Sequence, residues 1–350
     1  MSSVLELMNY TAPYEGNFLR SIRALAGALR EQGMQTVLVF PQSARERAWA
    51  SQFTHDCPVY FLPDGTLAAA RLLRRLCREH DVRAVHSHFV DSHFYLPLRL
   101  ALLCRATPHV YHAHSLPHFS RGSMALRRYV IRASRVLCVS ETVRRAYEAA
   151  GFSGCVLVPN GVDFARLRPT EHPDFRHPFV LTFGYDFTIK GIDTALDAFA
   201  RFDPAHRFTL GICAAGHGDR AHAALIARFG EVPDWVQLLA AREDVGAYYH
   251  AADVFLSASR TEGMPYAVLE AAYCGLPLAL SDIEPHRKLC LPRAERFPQA
   301  DGRALYDAVC RAEKTHGMPE NTAYAAEKFS LQGWTQAVLL QLFPKKERSV

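Results

Sequence analysis

Two glutamates, Glu262 and Glu270, stand with seven residues between them in Ser259-Arg-Thr-Glu-Gly-Met-Pro-Tyr-Ala-Val-Leu-Glu270, which runs on to Gly275-Leu-Pro277. A strand-like run, VFLSAS, enters a glycine-containing turn at Gly263 and then an apolar helical stretch. The start of such a helix offers backbone N–H groups and the positive end of the helix dipole, a natural seat for a diphosphate. Pro265 has no N–H, so the amides of Met264, Tyr266 and Ala267 must make that contact. The two glutamates can serve two ends of one extended ligand. Glu262, at the turn, can reach a reacting sugar, and Glu270, about two turns into the helix, can accept hydrogen bonds from ribose hydroxyls. A lone glutamate is ordinarily surface decoration, but Glu270 sits in an apolar run, where a charge needs a reason.

Other residues could join this chemistry. Lys190 lies between turn residues and a helix, a reasonable place to meet a phosphate, although a surface lysine is the plainer reading. Histidines cluster as His86-Ser-His88 and His112-Ala-His114, with His93, His109 and His118 nearby. Their pairing resembles metal ligands, yet alternation along a strand puts such pairs on one face with no metal involved. There is no Asp-x-Asp motif, so neither a metal site nor any other cofactor is expected.

The elements that position these residues alternate. Thr36–Phe40, Ala84–His88, Val110–Ala113, Val136–Val139 and Val156–Val158 read as strands, with helices over Leu67–His80, Leu96–Cys104 and Ser123–Ala133. Pro159-Asn160-Gly161 is a turn signal, and residues 164–178, with three prolines, read as a linker. The pattern then restarts with strands at Phe179–Phe183, Phe208–Cys213, Val236–Leu239, Val254–Ser257 and Leu278–Leu280. Helices fall at Ile192–Arg201, Ala221–Phe229 and Leu269–Cys274. Strand–helix alternation predicts an α/β fold with a parallel sheet in each half. At 350 residues, two domains are the natural division. The expected limits are 1–165 and 178–328, with a final helix at about 329–345 returning to the first domain. Two doubly wound domains facing across a cleft would bind ligands at the carboxyl ends of their strands.

Charge is uneven. The chain carries +5, but residues 1–165 hold 19 Arg against 12 acids, so the first half is +7 and the remainder −2. Arg74, Arg75, Arg78 and Arg83 form one basic group, and Arg121, Arg127, Arg128, Arg132 and Arg135 another. A solvated helix face is the ordinary reading; an anionic membrane surface is the sharper one. Nucleic acid is disfavoured, because no binding motif accompanies the charge. The nine cysteines show no CxxC pair, which fits reduced thiols in the cytoplasm. No apolar run reaches membrane-spanning length, and the N-terminus lacks a secretory pattern.

These motifs together resemble the retaining glycosyltransferases of GT-B fold, specifically family 4, also called group 1. Its signature is two glutamates separated by seven residues in an EGMP-type context. Pro159-Asn160-Gly161-Val162-Asp163 resembles the family's PNGVD segment, Val139-Ser140-Glu141 its VSE strand end, Gly184 to Lys190-Gly191 its phosphate loop, and Ala251-Ala252-Asp253-Val254 its AADV strand start. The resemblance implies that Lys190 neutralises a donor diphosphate, that Glu262 contacts the transferred sugar and that Glu270 contacts the ribose. It places Gly16 and Asn17 in a glycine-rich loop against the phosphates and His114 over the donor sugar. One position departs: where the family has arginine this chain has Tyr185, so Arg260, or the backbone amides with Lys190, would take that share of the phosphate. The implied activity moves a hexosyl or N-acetylhexosaminyl unit from a nucleotide sugar, UDP preferred and GDP the alternative. The acceptor would be a saccharide or a lipid-linked glycan in bacterial surface polysaccharide assembly, at the inner face of the plasma membrane. A GT-B nucleotide-sugar epimerase and a non-catalytic sugar-nucleotide-binding subunit are the rival readings.

Overall fold

The computed structural model describes residues 1–89, 92–103, 107–117, 133–168, 171, 173–184, 186–214, 216–315 and 317–344. The chain divides into two compact units, one made of Met1–Gly161 with the C-terminal stretch from Leu331, the other of Val162–Ser330.

The first unit is built on a seven-stranded sheet. Its strands are β1 (Ser3–Met8), β2 (Gln35–Pro41), β3 (Val59–Leu62), β4 (Val82–His88), β5 (His109–Ala113), β6 (Arg135–Cys138) and β7 (Cys155–Leu157), in the order β3-β2-β1-β4-β5-β6-β7. All pairings are parallel. Helices cover both faces of such a sheet, so its central strands read as continuous apolar runs. β1 is buried at all six positions although one of them is Glu6. The helix Asn17–Glu31 buries Phe18, Leu19, Ile22, Leu25 and Leu29, a single stripe at helical spacing. The helix Leu331–Leu342 sends Trp334, Val338 and Leu342 into the same cluster as Phe18, Leu25 and Val110. The C-terminal helix is thereby part of the first unit's core.

The second unit repeats the plan with β8 (Phe179–Phe183), β9 (Thr209–Cys213), β10 (Val236–Leu239), β11 (Val254–Ser257), β12 (Leu278–Ser281) and β13 (Glu295–Phe297), ordered β10-β9-β8-β11-β12-β13 and again parallel. In both sheets the strand order reverses once, between β1 and β4 and between β8 and β11. Loops leaving the carboxyl ends of strands at such a reversal diverge and leave a crevice for ligands. The loops after β8 and β11 are those carrying Gly184–Lys190 and Ser259–Glu262.

The structure differs from the sequence reading in the linker and at two sheet edges. Residues 164–178 are packed rather than a loose linker. Phe164–Leu167 is a 3-10 turn, Phe164 stacks on Tyr273 at 4.1 Å, and Phe175 stacks on Phe179 at 4.1 Å. β3 and β13 are additional edge strands, short and only partly buried. The helix expected over Ser123–Ala133 lies outside the described residues, except for Ala133.

Candidate donor site and its histidine counterpart

In the second unit, two loops are locked face to face by glycines. Gly191 adopts φ +64°, and a Cβ there would stand 2.0 Å from the Ala258 carbonyl oxygen. Gly184 adopts φ +151°, and its Cβ would stand 2.5 Å from Cγ of Lys190. Only glycine tolerates both the positive φ and the contact at these points. The result sets the Lys190 stem against the end of β8 and its loop against the end of β11.

Lys190 Nζ then donates to Glu262 Oε1 at 2.6 Å, and Ser259 Oγ donates to the same oxygen at 2.7 Å. Ser259 is buried, and its carbonyl accepts from Ser281 Oγ at 2.7 Å. Behind it, His286 is fully buried beside Ser257 and Ser281, and burial holds its pKa below the ordinary imidazole range. An ammonium has three donors, so the bond to Glu262 does not exhaust Lys190. Arg260 is committed elsewhere. Its guanidinium holds both oxygens of Asp193, at 2.9 and 3.1 Å, and the Thr188 carbonyl. It braces the loop before the helix Ile192–Phe202 instead of supplying a second loose cation. Tyr185 lies outside the described residues.

Past the turn, the helix Tyr266–Tyr273 begins with Pro265 as its cap, no side chain capping it, and no acidic residue in its first turn. No acidic side chain of its own first turn competes for its positive end. Gly263 and Met264 form the turn, and Tyr266 and Ala267 open the helix. Glu270 is 5 % exposed, and both its oxygens are engaged. Arg166 donates to Oε1 at 2.6 Å and Tyr249 to Oε2 at 2.6 Å. Burial, and then Glu270, push the Tyr249 phenol well above its usual range, so it remains a donor. This clamp orients the Glu270 carboxylate.

In the first unit, Gly16 and Asn17 open the helix Asn17–Glu31, with Asn17 buried. Phe18, the next residue, lies edge-on to His88 and His114 at 5.0 and 5.5 Å. The histidines form one polar cluster with Glu6. Register explains it: Glu6 pairs with His86 across β1 and β4, and His88 with His112 across β4 and β5, so their side chains share a face. Glu6, His86, His88 and His112 are all fully buried. His86 Nδ1 meets Glu6 Oε1 at 3.1 Å, and His88 Nε2 meets Glu6 Oε2 at 3.0 Å. His88 Nδ1 meets His114 Nε2 at 3.0 Å. His114 is half-buried and stacks between His112 (4.5 Å) and Phe89 (4.2 Å). Burial is the main reason His88 and His112 have pKa values well below the ordinary range, and burial followed by His86 takes His114 down to about 3. These three imidazoles are neutral near pH 7.

Of the residues singled out in the sequence, the structure joins Lys190, Gly184, Glu262, Gly263, Met264, Tyr266, Ala267 and Glu270 at one end of the second sheet. It places Gly16, Asn17 and His114 in the first unit. Sequence reasoning passed over Arg166, Tyr249, Ser259 and Glu6. Glu6 did leave a signal, since it is a charge inside an otherwise apolar run.

Residues 20–166 match the family described as Glycosyltransferase Family 4, and residues 177–314 match Glycosyl transferases group 1. The chain belongs to the group 1 glycosyltransferases of GT-B fold. It is 26% identical over 251 residues to the putative teichuronic acid biosynthesis glycosyltransferase TuaC of Bacillus subtilis, covering 65% of this chain and 62% of that protein. Its matches span 33% and 62% of the lengths of its curated relatives. Among solved structures, a glycosyltransferase from Rickettsia africae superposes with TM-score 0.80 at 14% identity, covering 97% of each chain. Anabaena HepE in complex with UDP-glucose superposes with TM-score 0.78 at 19% identity, covering 97% of this chain and 99% of that one.

Proposed function

We propose that this glycosyltransferase is a retaining enzyme. It moves a hexosyl or N-acetylhexosaminyl unit from a UDP-sugar, with GDP the alternative, to a saccharide or lipid-linked acceptor in bacterial surface polysaccharide assembly. The observation that carries this reading is the joint arrangement of Lys190, Glu262 and the clamped Glu270 at the strand-order reversal of the second sheet. Lys190 and the amides at the start of the helix Tyr266–Tyr273 would hold the diphosphate and stabilise the charge that develops as the nucleotide leaves. Glu262 would contact the transferred sugar, and Glu270 the ribose. His114 would hydrogen-bond a hydroxyl of the same sugar, and Gly16 and Asn17 would approach the phosphates. The acceptor hydroxyl would attack from the leaving-group side, with the departing phosphate taking its proton. That HepE is described in complex with UDP-glucose and TuaC as a teichuronic acid glycosyltransferase supports the choice of donor and setting.

No Asp-x-Asp motif is present to bridge a metal to the diphosphate, so we propose metal-independent transfer, with activity retained in chelator. Among the described residues no helix is long and apolar enough to cross a membrane. The helix Thr66–Glu79 presents Arg71, Arg74, Arg75 and Arg78 as exposed side chains, with Leu67 and Leu103 exposed nearby. That pairing of cations with apolar tips favours peripheral contact with an anionic inner-membrane surface.

The test is product analysis with a panel of UDP- and GDP-sugars, each with and without undecaprenyl-linked or oligosaccharide acceptors. The reading expects a glycoside only when acceptor is present, with the donor's anomeric configuration kept. An epimerised nucleotide sugar formed without acceptor, or an inverted product, would overturn it.

A further inference from the structure

The polar cluster under the first sheet's helices has more order than a set of buried histidines needs. Its hydrogen bonds form a line: Glu6 Oε2 to His88 Nε2 at 3.0 Å, then His88 Nδ1 to His114 Nε2 at 3.0 Å. The line begins at fully buried residues and ends at half-buried His114.

Proton bookkeeping fixes its polarity. Each oxygen of Glu6 meets a separate imidazole nitrogen, and with Glu6 as the acceptor of both contacts His88 carries its hydrogen on Nε2 and donates to Glu6. Neutral His88 then has a bare Nδ1, which can only accept. His114 must therefore carry its hydrogen on Nε2 and donate to His88. Neutral His114 is left with Nδ1 bare, a lone pair on its one remaining ring nitrogen. His86 donates from Nδ1 to Glu6 Oε1, so the 3.2 Å separation between His86 Nδ1 and His88 Nε2 is two donors side by side on one carboxylate. Phe18, Phe89 and His112 pack around the His114 ring, and Trp334 backs His112 at 6.1 Å.

We propose that Glu6 and His88 are positioning residues that lock His114 as the neutral Nε2–H tautomer, making its Nδ1 a permanent acceptor for a hydroxyl of the transferred sugar. The tautomer assignment rests on these contacts with Glu6 as the acceptor; the sugar hydroxyl rests on the role given to His114 above. The device has a clear use. A free imidazole near neutral pH interconverts between two tautomers and a cation, and only one of those three forms accepts a hydrogen bond at Nδ1. A chain of buried bonds removes the other two.

A metal is the competing use of the same atoms, because His86, His88 and His112 each bring a ligand atom within 4.8 Å of the others. The relay reading is favoured because the 3.0 Å contacts are already balanced by one proton each, whereas a divalent ion would require the wider group to draw together.

The test uses ring-nitrogen NMR on the full-length protein with labelled histidine, together with the transfer assay. In the wild type, His114 should show one protonated Nε2 and one bare Nδ1 from pH 8 to 5.5, with no titration. His88→Phe removes the acceptor for His114 and should give mixed tautomers, with transfer lowered roughly tenfold, the size of one hydrogen bond, alongside a new ionisation in its pH profile. His88→Gln can donate to Glu6 and accept from His114 at once, and should restore both the single tautomer and the rate to within a few-fold. Should His88→Phe fail to fold, Glu6→Gln is the second variant: its amide nitrogen replaces one carboxylate oxygen and donates, so one of His86 and His88 must change tautomer, and no change at either would overturn the relay. A mixed, Nδ1-protonated or charged His114 in the wild type would overturn the relay, as would a stoichiometric transition metal in the purified protein. A fixed Nε2–H tautomer with transfer unchanged in His114→Ala would instead overturn the sugar contact and leave the tautomer assignment standing.

Discussion

The two units solve the problem of buried polarity in opposite ways. The first gathers Glu6, His86, His88, His112 and His114 into a largely buried network with one carboxylate, in which burial holds His88, His112 and His114 neutral. The second relies on formal ion pairs: Lys190 with Glu262, Arg260 with Asp193, and Arg166 with Glu270. Neutral networks fix which atom donates and which accepts. Ion pairs fix where charge sits and can trade one partner for a ligand. A site that must read a sugar hydroxyl benefits from the first, and one that must receive a diphosphate from the second.

The largest effect should come from breaking the most deeply buried ion pair. Glu270→Ala leaves the Arg166 guanidinium uncompensated at 9% side-chain exposure. A loss of about 3–5 kcal/mol in denaturant unfolding is expected. Arg166→Met combined with Glu270→Leu should recover most of it, since an apolar pair of similar volume has no charge to desolvate. A loss below about 1 kcal/mol would mean the pair is open to water.

Acid should separate the two solutions next. His88 faces Glu6, His86 and His114 and sits 5.3 Å from His112, and its folded pKa is depressed well below the ordinary value, as is that of His112. Below the unfolded pKa of about 6.5 the unfolded chain binds protons that the folded state refuses, so stability falls as pH falls. His88, His112 and His114, the last held at about 3, each contribute a slope of about 1.4 kcal/mol per pH unit, or about 4 kcal/mol together at pH 5.5. Chemical denaturation at pH 7.5, 6 and 5.5 should show it, with the slope cut by about a third in His112→Phe. A flat response in the wild type would contradict neutral burial.

Tyr249→Phe removes one donor to Glu270 and leaves the Arg166 bond. About 1.5–3 kcal/mol is expected, the range for a hydrogen bond to a charged group, together with weaker nucleotide binding. Nucleotide affinity unchanged in this variant would detach Glu270 from the ribose. The smallest effect on stability should be Lys190→Ala, because that pair is partly exposed and such pairs contribute about 0–1 kcal/mol. Its melting temperature should stay close to wild type while transfer collapses.

The sequence displayed the two-fold strand–helix pattern and the Glu262–Glu270 motif plainly, because local periodicity and spacing carry both. β3 and β13 were hidden for a physical reason: edge strands need not be apolar, and Glu295-Arg-Phe does not look like a core strand. The relay was hidden for a different one. His86 and His88 face the same way by simple alternation, but their carboxylate is on β1. Only the order β1-β4-β5, set by a crossover of some seventy residues, brings Glu6 beside them. Arg166 was missed because a stretch rich in prolines reads as linker, and its partner lies 104 residues along the chain.

The most direct test of the account is calorimetric titration of UDP into the full-length wild type and Lys190→Ala at equal ionic strength. The account predicts saturable one-to-one binding to the wild type and an affinity at least about tenfold weaker in Lys190→Ala, from loss of a charge-assisted contact to the diphosphate. Equal affinity in the two proteins would place the diphosphate elsewhere and contradict the assignment of this site.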